Sequence, residues 1–190
     1  ISNQNHNSSN IDFMNKRELK NILIIANLDQ LSHQRDIFKF INIFNKNSKQ
    51  NNNTNFHFHG KTENFRKKFQ INDSNNQLIF NSWVNDLVDF YSTFDLVVSP
   101  ITNSTGLQTK YLQTFLSKTP LALLKNTSYG FSPTITNGHH CIMSDSMSGL
   151  VEAINHTKDL ENISMNAFNY VYENFAIEKV SKKVLYQLID

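Results

Sequence analysis

The sequence predicts an α/β domain: a parallel sheet with helices on both faces. Three observations carry that prediction. Short apolar runs recur along the chain. Stretches with helical spacing separate them. The links are short, and strand–helix alternation of this kind builds a parallel sheet with right-handed crossovers.

Lys20–Ala26 (KNILIIA) opens the pattern as a strand buried on both faces. Ser32 is the expected N-cap of a helix in which Ile37, Phe40, Ile41 and Phe44 recur at helical spacing. Residues 45–54 read as an Asn-rich loop. Asn55–His59 (NFHFH) alternates like a strand, Gly60 ends it, and Thr62–Phe69 reads as a helix with Phe65 and Phe69 inward. Gln77–Asn81 is a strand and Asp86–Thr93 a short helix. Asp95–Ser99 is a strand stopped by Pro100. A loop, Ile101–Thr105, leads into a helix over Leu107–Ser117, and Pro120 separates it from a strand at Leu121–Leu124. Cys141–Met143 is a last short strand. Helices near 147–157, 160–174 and 178–189 close the chain. The order makes a Rossmann-like domain the leading fold, over residues 19–190. Residues 1–18 are polar and aperiodic, and read as a linker or tail.

Composition excludes several classes. At 190 residues the chain suits one domain. No apolar run reaches the ~18 residues of a membrane span. Cys141 stands alone, which excludes an internal disulfide framework and fits a reducing compartment. A formal charge of +2 gives no argument for nucleic acid. Charged residues make up 18%, below the ~25% usual in soluble domains, and 28 Asn residues take their place on the surface. The first residue is Ile rather than Met, so a longer parent protein is expected.

In open parallel sheets, ligands bind beyond the carboxyl ends of the strands. That directs attention to the loops after Ala26, His59, Phe80 and Ser99. The last is the most informative. Ser104–Thr105–Gly106 precedes a helix, where free N–H groups and the positive dipole end suit a phosphate. Gly106 permits close approach to the backbone. Gly106, Lys110, Gln113 and Ser117 fall on one helical face, with Leu107, Tyr111, Leu112, Phe115 and Leu116 on the other. An ordinary amphipathic helix would show the same spacing.

The run Ser104–Pro120, STGLQTKYLQTFLSKTP, resembles the signature G-x-G-L-x-x-K-x-L-E-A-M-A-x-G-x-P of the family 4 (group 1) glycosyltransferases. Leu78–Pro100, Asn137–Leu150 and Ala167–Ala176 resemble three other stretches of that family, in order and spacing. The resemblance implies a GT-B architecture of two Rossmann-like halves. This chain is similar to the C-terminal half, which binds a UDP-, GDP- or ADP-linked sugar. The N-terminal half, which holds the acceptor, would be a partner. The implied enzyme is a retaining hexosyltransferase without metal or cofactor, in which a helix N-terminus and basic residues stabilise the leaving diphosphate. The fragment alone is expected to be inactive, and the acceptor is a glycan, lipid or protein.

The resemblance places the diphosphate at Ser104, Thr105, Gly106 and Leu107, and the ribose at Gln113. Thr105 and Gln113 stand where the family carries two Glu residues. Gln113 can still hydrogen-bond a diol, without charge assistance. Ala26–Asn27 replaces a Gly-Arg pair, and Lys118 replaces a small residue. Arg35, Lys61 and Lys110 are therefore the nearest candidates for the diphosphate cation, with a plain surface role the competing reading for each. Trp83 and Val84 fall on the family's base-contacting loop, and a packing Trp is the alternative. No catalytic residue is assigned. The lost Glu and Gly-Arg positions also admit a degenerate, non-catalytic domain acting as scaffold or partner subunit. A GT-B epimerase or phosphorylase is a further alternative.

Other signals read as structural. His57 and His59 share a strand face but lack a third metal ligand. His139, His140 and Cys141 are sequence neighbours whose side chains diverge. Sequons at Asn103, Asn126 and Asn155 are what an Asn-rich chain produces by chance. Arg66–Lys68 reads as a solvated helix face that could touch acidic lipid, so a cytoplasmic location, including the membrane periphery, is expected.

Overall fold

The computed structural model describes residues 19–47, 54–60, 62–68, 77–81, 83–104 and 106–176. The expected tail at 1–18, the helix at 178–189, Phe69, Lys61 and Thr105 lie outside the described residues. Six strands form one wholly parallel sheet: β1 (Asn21–Ile24), β2 (Asn55–His59), β3 (Leu78–Asn81), β4 (Leu96–Ser99), β5 (Leu121–Leu124) and β6 (Ile142–Ser144). Their spatial order is β3-β2-β1-β4-β5-β6. The chain starts at the centre, winds out one way, then returns to wind out the other. This is the doubly wound Rossmann order, with its switch between β1 and β4.

Alternation along the strands builds two cores. Ile22, Ile24, Leu96, Val98, Ala122 and Leu124 face one side. There they meet α1 (Leu31–Asn47), α2 (Glu63–Lys68) and α5 (Met147–His156). Leu23, Val97, Leu121, Leu123 and Cys141 face the other, against α4 (Thr109–Leu116) and α6 (Leu160–Phe175), with α3 (Leu87–Ser92) beside α4. Much of the first core is phenylalanine. Phe44 meets Phe56 edge-on at 5.5 Å, and Phe58 stacks on Phe80 at 5.2 Å. Such pairs add about 0.5–1.5 kcal/mol beyond burial.

The predicted strands and helices all appear where they are described, with shifted ends. α1 begins at Leu31, which puts Ser32 inside the first turn rather than at the cap. α3 is capped as its sequence suggests: Asp86 accepts hydrogen bonds from the N–H groups of Val88 and Asp89. α4 starts at Thr109, two residues later than expected, with Gln108 at the N-cap. Gly106 and Leu107 therefore precede the helix, and Ser117 is its C-cap. This breaks the predicted polar face: Ser117 is buried, donating to the Thr114 carbonyl and to Thr119. Leu107 and Leu116 are exposed, and Tyr111, Thr114 and Phe115 form the buried stripe. Lys118 follows the helix at φ +55°, a left-handed position that favours glycine. Its ammonium lies over the Phe168 ring at 4.6 Å.

Candidate functional site

The switch point opens a crevice between the loops that follow β1 and β4. The β1 loop is a tight turn. Asn27 accepts the Asp29 N–H on its Oδ1 at 3.1 Å, and its carbonyl accepts the Gln30 N–H. Gln34 of α1 donates to the Leu28 carbonyl at 2.6 Å. The β4 loop is tied to the same helix. Thr102 donates through its N–H and its hydroxyl to Asp36, each at 2.8 Å. The Asn126 amide donates to the Thr102 carbonyl. Beneath the crevice, the Tyr111 hydroxyl is 2.8 Å from Ser99 and donates to Thr127.

Two adjoining cavities result. One, of about 380 Å³, is lined by the β1 loop, His59, Gly60 and the start of α4. The other, of about 480 Å³, is lined by Gln30, Thr102, Asn103, Ser104 and Asn126. Asn27, His33 and Gln108 border both. Lys110 supplies an ammonium group to the first. Its Nζ donates to the Ala26 carbonyl at 3.0 Å. Lys110 is exposed as a whole residue, and desolvation at the crevice holds its ammonium below the usual lysine pKa. Gln108, at the N-cap of α4, makes no side-chain cap hydrogen bond, and Gln108, Thr109, Lys110 and Tyr111 at the helix start line this cavity.

The residues expected from sequence are partly brought together. Lys110 lines the first cavity and Ser104 the second. The Ser104 Oγ is buried without a hydrogen-bond partner among the described residues. Gly106, at φ +65°, and Leu107 form the turn before the helix and line neither cavity. Gln113 is half-buried and also lines neither. Arg35 is exposed and borders neither, because α1 turns His33, Gln34 and Ile37 inward and Arg35 away. Trp83 is 81% exposed and Val84 half-buried; the indole ring lies 6.3 Å from the His59 ring. Thr105 and Lys61 lie outside the described residues.

Sequence reasoning missed His33, Asp36 and Gln108. His33 could have been found as a polar residue one turn before Ile37 on the apolar stripe. His59, whose place on the strand reads as structural or solvent-facing from sequence, lines the first cavity from the carboxyl end of β2. His57 is structural: it contacts Asn21 and Asn81, packs on Phe94, and burial pushes its pKa down. Cys141 is buried, with a thiol pushed up to about 12 by desolvation. Among the described residues no group of three His, Cys, Asp or Glu could hold a metal. None of their helices is long and apolar enough to cross a membrane.

An open, doubly wound sheet with a polar crevice at its switch point defines a Rossmann-type ligand-binding domain. The family model for glycosyl transferases group 1 matches residues 20–158, and the chain belongs to that family. No curated protein sequence matches it. Its fold is similar to several solved glycosyltransferases. One is Staphylococcus aureus TarM in complex with fondaparinux, α-GlcNAc-glycerol and UDP (TM-score 0.69, 16% identity, 90% of this chain and 35% of that one). Another is Anabaena HepE with UDP (0.70, 14%, 90% and 49%). A third is the pneumococcal O-GlcNAc transferase GtfA with UDP and GlcNAc (0.63, 18%, 92% and 37%). The chain thus spans between about a third and a half of these proteins, and the expected similarity to one half of a GT-B enzyme is borne out.

Proposed function

We propose that this chain is the donor-binding part of a retaining glycosyltransferase. Its donor is a UDP-, GDP- or ADP-linked sugar, and its acceptor a glycan, lipid or protein held largely by a further domain. One observation carries the reading. At the β1/β4 switch, the Lys110 ammonium and the N-terminus of α4, where Gln108 makes no side-chain cap, line one cavity. A diphosphate is the ligand that such a pair favours. As the bond to the sugar breaks, charge grows on the leaving diphosphate, and fixed donors stabilise it without a metal or cofactor. The ligands named in the solved TarM, HepE and GtfA structures, UDP in each, support the choice of ligand. Calorimetric titration with UDP, GDP and ADP tests it. Binding of one of them below millimolar concentration is expected, and no binding by any would overturn the reading.

A second reading has its own support. Lys110 is already engaged by the Ala26 carbonyl, and Asn27 is spent on its own turn where the resemblance places an arginine. Both fit a degenerate domain that serves as partner to an active subunit. Gln113→Glu separates the two. A weakened but real ribose site gains affinity from the restored carboxylate, and a vestigial one does not respond.

A further inference from the structure

We propose that His33 is a positioning residue: its neutral imidazole is a strut that joins the β1 loop to the β4 loop and fixes the width of the crevice. The geometry has two ends. The Asn27 N–H donates to Nδ1 at 3.2 Å, and Nε2 lies 3.1 Å from the Asn103 carbonyl. A backbone N–H can only donate and a carbonyl can only accept. One form of the ring satisfies both ends: bare Nδ1 and protonated Nε2. The other neutral tautomer fails at both. The imidazolium keeps the Asn103 bond but sets its Nδ1–H against the Asn27 N–H.

The placement gives this tautomer a consequence. β1 and β4 are adjacent strands at the point where winding reverses, so their loops part on opposite sides of the crevice. His33 is 7% exposed and borders both cavities. It holds a loop on each side, whereas Gln34 holds only the first and Asp36 only the second. Loss of the strut leaves each loop anchored to α1 but no longer to a common group. The ligand then has to fix their separation itself, which weakens binding. The titratable groups that line the first cavity with His33 are Asp29 in the β1 loop, His59 at the end of β2, and Lys110 and Tyr111 on α4, and Asp36 lies one turn along α1.

The effect on ligand affinity rests on the proposed nucleotide-sugar site; the strut itself does not. The test therefore has two arms. In the first, UDP, GDP and ADP are titrated into the 190-residue chain, His33→Ala and His33→Asn at about pH 8. Asn offers an amide oxygen to the Asn27 N–H. His33→Ala is expected to bind the preferred nucleotide about tenfold more weakly. His33→Asn recovers part of that loss. In the second arm, ring nitrogen chemical shifts of His33 report the tautomer, and hydrogen exchange reports the Asn27 amide. The Nε2–H tautomer and a protected amide are expected. A His33→Ala variant that binds like the wild type, or an Nδ1–H ring near pH 8, overturns the proposal. If none of the three nucleotides binds the wild type, the donor reading fails, and the nitrogen shifts alone decide the strut.

Discussion

Asp36 of α1 accepts two hydrogen bonds from Thr102, one from its N–H and one from its hydroxyl, both at 2.8 Å. The two residues are 66 positions apart, so this pair pins the β4 loop to α1. Asp36→Ala leaves the Thr102 N–H without its acceptor. The expected loss is about 1–3 kcal/mol, or roughly 2–4 °C of Tm per kcal/mol for a chain of this size. Thermal and denaturant unfolding measure it. Asp36→Asn keeps one acceptor oxygen and is expected to lose less.

Lys110→Met separates stability from binding. Desolvation lowers the Lys110 pKa, so the folded chain holds its proton less tightly than the unfolded one. The charged lysine therefore costs stability at neutral pH, and that cost fades as pH rises through the lowered pKa towards the ordinary one. Methionine removes this cost and also the bond to Ala26. The two effects oppose, and Tm is expected to change little. Nucleotide affinity is expected to fall roughly ten- to hundredfold, as for loss of a charge-assisted hydrogen bond. Calorimetry on both proteins tests the pair of outcomes.

Gly130→Ala and Gly106→Ala should damage the loop for different reasons. A Cβ at 130 would sit 2.4 Å from the backbone of Gly106 and Leu107, so the turn before α4 must move. Overpacking of this kind costs about 1–3 kcal/mol. A Cβ at 106 meets nothing within 4 Å, and its penalty is the left-handed backbone alone, about 1–2 kcal/mol. Gly130→Ala is expected to lose more nucleotide affinity per unit of lost stability. A change of stability with affinity unaltered would show that the turn's position does not matter to the ligand.

Lys118→Gly removes a strained backbone at the C-terminus of α4. The relief of about 1–2 kcal/mol outweighs the exposed contact of its ammonium with Phe168, about 0.5–1 kcal/mol. Glycine's extra freedom in the unfolded chain takes back part of the gain. A net stabilisation below about 1 kcal/mol is expected. A lower denaturant midpoint would show that the Phe168 contact dominates.

Cys141 is expected to be inert to thiol reagents in the folded chain. Its pKa, pushed up to about 12, leaves almost no thiolate at pH 8, and the sulfur is buried. Ellman's reagent should modify it only at the rate of unfolding, and promptly in guanidinium. Rapid reaction of the native chain would contradict the buried thiol.

The fold was legible because it is written in short-range pattern. NILI, LVVS and LALL are apolar at every position but Asn21 and Ser99 at strand ends, as strands covered on both faces require, and the helices between them show 3.6-residue spacing. The exact start of α4 was not legible: Gly106 and Leu107 satisfy helical spacing, but the chain turns at Gly106 and the helix begins only at Thr109. The site was legible only in part. Lys110 and Ser104 stand on motif positions, and both reach the crevice. His33, Asp36 and Gln108 carry no motif, since their roles depend on a loop 66 to 70 residues away or on a helix end that sequence places two residues too early.

By itself the sequence determined the α/β class, the order of elements and the family resemblance, because periodicity and motif spacing are local properties of the chain. Only the tertiary structure decided the strand order that places β1 beside β4, and with it the crevice. It also decided that Lys110 rather than Arg35 faces that crevice, and that a histidine of α1 touches both loops. Those facts follow from how helices pack across the sheet, where a rotation of one residue turns a side chain by about 100° and exchanges cavity for solvent.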